Sequence, residues 1–142
     1  MLFCHNLFTM QGYPTLSELI EAVQGHLTSQ VIPTLSEPRL RFQTLVAANV
    51  LAIVGRELKL ADSHSQQEWH SLAQLLGQTG DCPANLAARE QAISEWNQLL
   101  CQQIEGGLFD APAGTQHLLA HCLQTAQAHL QIANPKFLTA TH

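Results

Sequence analysis

Leu45-Val-Ala-Ala-Asn-Val-Leu-Ala-Ile-Val54 is a ten-residue apolar run in which Asn49 is the one polar side chain. At 100° per residue its apolar side chains point all round the axis, so the run predicts a helix enclosed by protein on every side. It is too short to cross a membrane, which takes about 20 apolar residues. Four of the six basic residues, Arg39, Arg41, Arg56 and Lys59, flank it. A central helix needs neighbours, and the caps and stripes on either side supply them.

On the N-terminal side, Thr15-Leu-Ser-Glu18 is a capping box, in which hydroxyl and carboxylate satisfy free backbone N–H groups. Leu16, Leu19, Ile20, Val23, Leu27 and Val31 follow as one apolar stripe. Pro33 stops this first helix, and Ser36 with Pro38 opens the second, which is expected to end near Ala61. Ser65-Gln-Gln-Glu68 reads as another capping box, opening a short helix with Trp69, Leu72, Ala73 and Leu76 on one face and Gly77 as its stop. Residues 77–84 are a loop by composition. A fourth helix runs from about Asn85 to Glu105 with Leu86, Ile93, Trp96, Leu100 and Ile104 inward. The fifth begins near Thr115, turns Leu119, Cys122, Leu123, Ala126 and Leu130 inward, and finishes by Asn134. No strand-like alternation, repeat or low-complexity tract is present. The expected fold is all-α: an antiparallel bundle of four longer helices and one short one around a buried second helix.

Length and composition bound the rest. The chain has 142 residues, 12% of them charged, and a formal charge of −5. That length fits one domain, expected over residues 10–142, with residues 1–9 a loose extension before Met10. Charged residues are about half their usual share, so exposed apolar area and association with a partner or a second copy are expected. Without a Lys/Arg cluster and interleaved aromatics, the footprint of a nucleic-acid binder is missing. The opening MLFCHNLFTM lacks a basic flank and cleavage site, so it does not read as a signal peptide. Cys4, Cys82, Cys101 and Cys122 lie far apart, which suggests reduced thiols and a cytoplasmic location. Cys101 and Cys122 read as small core hydrophobes.

Few residues point to chemistry. A buried Asn49 must find hydrogen-bond partners, since an unpaired amide costs roughly 1–3 kcal/mol. Asn97 sits similarly on the fourth helix, and Arg56, two turns after Asn49, shares its face. One reading is a polar pocket in which Arg41, Asn49, Arg56 and Asn97 receive a carboxylate or phosphate. The other is an internal network of Asn49, Glu57, Asn97 and Asn134 that fixes helix register. Glu57 is expected to pair with Arg89 or cap a neighbour. His117 and His121, at i and i+4, share a helical face as zinc ligands can, but that face is expected to be solvated, and no cofactor is implied. No nucleophile elbow or phosphate loop occurs.

Arg41-Phe42 through Leu58, with Leu75–Gly77, Asn97 and Ile132-Ala-Asn-Pro-Lys-Phe-Leu138, resembles a family of small uncharacterised bacterial helical proteins. The resemblance spans about residues 11–138 and marks Arg41, Asn49, Arg56, Glu57, Asn97 and Asn134 as family features, without roles. It implies the company of aminoglycoside-phosphotransferase-like kinases and acyl-CoA dehydrogenases. The expected function is a non-enzymatic interaction or accessory protein that docks such a partner or itself. The competing expectations are an Asn/Arg small-molecule site and a hydrolase using a metal on His117 and His121.

Overall fold

The computed structural model of the protein describes residues 13–139, so residues 1–9 lie outside the described part. All regular structure among these residues is helical, in five α-helices of which four are long. The contacts divide the chain into two compact units, residues 1–55 and 56–142.

In the first unit, α1 (Leu16–His26) opens with the capping box read from the sequence. Thr15 Oγ1 accepts from the Glu18 N–H at 3.2 Å, and the Glu18 carboxylate accepts from the Thr15 N–H at 2.7 Å. Those bonds to Thr15 hold the Glu18 carboxyl below its ordinary pKa. The Thr28 and Ser29 hydroxyls then donate to the carbonyls of Gln24 and Gly25. Such bonds compete with the backbone ladder, and the helix widens there into a π turn, Leu27–Val31. A 3₁₀ turn, Ile32–Thr34, carries Pro33, and extended Leu35 ends the segment.

The helix α2 (Pro38–Leu76) is 39 residues long and crosses from one unit into the other. Its start is capped by Glu37, whose carboxylate accepts from the N–H groups of Arg39 and Leu40. The expected break between Ala61 and Ser65 is absent. Neither Gly nor Pro interrupts those residues, and the Ser65 hydroxyl bonds back to the Asp62 carbonyl instead of capping forwards. What ends α2 is Gly77, at φ 63°, where the Gln78 N–H closes onto the Ala73 carbonyl.

Two burial expectations are corrected. The Leu45–Val54 run is not enclosed: Leu45, Val46, Val50 and Val54 are exposed, Phe42 is 66% exposed, and Asn49 faces solvent. Buried hydrophobes in this unit are limited, among the described residues, to Ile32 and Ala48. Among the described residues α1 meets α2 on one side, where Ile20 approaches Gly55.

In the second unit, Trp69 and Leu72 of α2, Ile93 and Leu100 of α3 (Leu86–Glu105) and Phe109 form the core. Asn85 caps α3, its side chain accepting from the Ala88 N–H. Contacts between α2 and α3 advance together, Asp62 to Arg89 and then Glu68 to Asn97, so these helices run in the same direction. Antiparallel packing was expected. Residues 77–85 instead carry the chain back along α2 before α3 begins. The next helix, α4 (Pro112–Ala133), does run against α2, with Ser71 meeting His121 and His64 meeting Gln131.

The second burial correction concerns α4. Its Leu119, Cys122, Leu123 and Ala126 stripe points outward, and Leu123 is 61% exposed. The face turned inward is Leu118, His121, Thr125, Ala128 and Ile132, which has the same helical spacing. Cys101 is exposed as well, so neither it nor Cys122 is a core residue. The five-residue α5 (Pro135–Thr139) follows Asn134, the C-cap of α4. No helix among the described residues is long and apolar enough to cross a membrane.

Candidate functional site

Polar contacts of the second unit concentrate where α2, α3 and α4 meet. Arg89 is the most deeply placed of these side chains, 1% exposed. It stands on the same stripe as Ile93, Trp96 and Leu100, so packing that stripe carries the guanidinium inward. There Nη1 donates to the Asp62 carboxylate at 2.8 Å, the Ser65 hydroxyl at 2.8 Å and the Asp62 carbonyl at 3.0 Å. Nε donates to the Pro83 carbonyl at 3.0 Å and Nη2 to that of Ala84 at 3.3 Å. The Asp62 carboxylate raises the Arg89 pKa further, against the opposing effect of burial. Glu57 was the expected partner, yet Arg89 pairs with Asp62. The result is a clamp that ties the returning loop and the start of α3 to α2.

Beside this clamp lies a cleft of about 220 Å³ between the three helices. Glu57, His64 and Glu68 line it from α2, Glu90 from α3, and Gln124 and His129 from α4. Asn97 Nδ2 donates to Glu68 Oε1 at 3.3 Å, and His64 Nε2 lies 2.9 Å from Gln131 Oε1. His64 Nδ1 is buried without a partner among the described residues.

A second cleft, about 450 Å³, opens between the end of α2 and the start of α4. His121 lines it and is only 6% exposed, which corrects the expectation of a solvated pair; His117 is exposed. Ser71 Oγ and His121 Nδ1 are 2.8 Å apart. Burial pushes the His121 pKa below its ordinary value, and the Glu68 carboxylate opposes that shift. No group of three or more His, Cys, Asp or Glu side chains among the described residues could hold a metal ion.

The residues singled out from sequence are dispersed. Arg41 and Asn49 are exposed on the part of α2 within the first unit. Arg56, half-buried, donates from Nε to the Ile132 carbonyl at 2.5 Å, and so ties α2 to the end of α4. Neither cleft is lined by Arg41, Asn49, Arg56 or Asn97. Asn134 is exposed and acts through its backbone, accepting from the Phe137 N–H. Sequence reasoning missed the Arg89 clamp and the Ser71–His121 pair. Their signal was a polar residue placed in register with an apolar stripe, Arg89 with Ile93 and Leu100, His121 with Leu118 and Ile132.

Nothing among curated proteins or solved structures matches the chain. One protein family does, over residues 33–137, from the 3₁₀ turn into α5. That match covers well over half of the sequence and takes in the whole of α2, α3 and α4. The chain therefore belongs to the DUF6285 family, a domain of unknown function.

Proposed function

We propose that the protein is a non-enzymatic helical interaction module, docking through the apolar faces of its first unit. One observation supports this reading. Ten large hydrophobic side chains of residues 13–55 are exposed, from Tyr13 to Val54, against two buried hydrophobes in the same described segment. Apolar side chains exposed in that number on two neighbouring helices are what an interaction surface presents. Low charge content points the same way, because few Lys, Glu or Asp side chains interrupt the surface. The partner is a second copy of the chain or one of the kinase-like or acyl-CoA-processing companions implied by the family resemblance. A cytoplasmic setting accords with the scattered cysteines.

The test is sedimentation velocity on the purified chain, with and without the paired substitutions Phe42→Asp and Val50→Asp. Both side chains are exposed, so the helix content by circular dichroism should hold. A dimer or higher species that becomes a monomer on substitution supports self-docking. A monomer in both forms that recovers no partner from its native host would overturn the reading.

A further inference from the structure

We propose that the cleft at His121 binds an uncharged small molecule presenting a hydrogen-bond-accepting oxygen on an apolar body. The cleft, about 450 Å³, lies within the size range of small-molecule sites. Phe109, Leu75 and Ala120 supply apolar wall beside the polar Gln74, His117 and Gln124, and no Asp, Glu, Lys or Arg side chain lines it. His121 is more than nine-tenths buried, and among the described residues no hydrogen bond reaches its Nε2.

Ser71 decides what that nitrogen offers. Other helical hydroxyls, such as those of Thr44 and Ser65, donate to a carbonyl three or four residues back. The hydroxyl of Ser71 instead lies 2.8 Å from His121 Nδ1, its hydrogen-bond partner among the described residues. We take the Ser71 hydroxyl as the donor, which makes Nδ1 the acceptor and puts the ring proton on Nε2. Burial lowers the His121 pKa, so the ring is neutral near pH 7 and keeps this one N–H. His121 lines the cleft, so an acceptor oxygen of a ligand seated there can take this N–H in place of solvent. Glu68 is close enough to act on the ring electrostatically, which disfavours an anion and leaves a carbonyl or ether oxygen as the fitting group.

Three probes of one size separate the possibilities: acetophenone, ethylbenzene and benzoate, titrated into ¹⁵N-labelled full-length protein at pH 7.5. Acetophenone should shift the His121 ring and the Leu75 resonances, and bind about tenfold more tightly than ethylbenzene, the gain of one hydrogen bond. His121→Phe should erase that preference. Should that variant fail to fold, Ser71→Ala, which frees the ring proton to return to Nδ1, should reduce the preference severalfold. Equal affinities for acetophenone and ethylbenzene, tightest binding by benzoate, or no response at His121 to any probe would each overturn the proposal.

Discussion

Two buried polar side chains, Arg89 and His121, carry opposite consequences for stability. At His121 the folded state disfavours protonation, so the unfolded chain binds the proton more readily. Stability therefore rises with pH between the folded pKa and the ordinary value near 6.5, and falls as pH drops through that window. The groups acting on the ring are Ser71, on its Nδ1, and Glu68, which partly offsets the burial effect. His121→Gln should flatten the dependence of unfolding free energy on pH below 6.5 by up to one proton, read from urea melts across that range. Arg89 is charged throughout, and its fork is engaged at every nitrogen. Arg89→Ala should lower the melting temperature far more than Arg39→Ala, and Arg89→Lys should restore only part of the loss, because an ammonium cannot reproduce the fork. Hydrogen exchange at residues 84–88 should quicken in both Arg89 variants. In the apolar core, Leu72→Ala should cost about 2–5 kcal/mol, measured by chemical denaturation.

At the scale of helices, local signals governed the ends and packing governed the faces. The Thr15 box, the start of α3 near Asn85, and the stops at Gly77 and Asn134 were legible because each acts within one turn of chain. Ser65-Gln-Gln-Glu68 has the letters of a cap, yet it lies inside α2 because a helix already propagating needs no new nucleus. This continuity predicts that Ser63→Pro, on the exposed side, removes a backbone bond and costs about 3 kcal/mol or more. If residues 61–65 were a break between helices, the same substitution would be nearly silent in a urea melt. The α4 helix carries two stripes with the same period, and periodicity alone could not choose between them. Packing against Ser71 and Phe109 selected the His121 face and left Leu119 and Leu123 outward.

For the molecule as a whole, the second unit has a core in which three helices and Phe109 take part, while the first exposes most of its apolar side chains. If another protein surface covers those side chains, association should carry a negative heat-capacity change and depend weakly on salt. Isothermal dilution calorimetry at three temperatures and two ionic strengths measures both. A salt-sensitive association without a heat-capacity change would point instead to the scattered charges.

The amino-acid sequence determined the all-α class, most helix boundaries, and the inward role of Trp69, Leu72, Ile93 and Leu100. These follow from caps, breakers and side-chain period, which are properties of adjacent residues. Tertiary structure decided the direction of α3, the length of α2, the exposure of Asn49, and the burial of Arg89 and His121. Each of these depends on which surfaces compete for the same partner. A helix bearing apolar side chains on more than one face can bury only the face for which a neighbour exists.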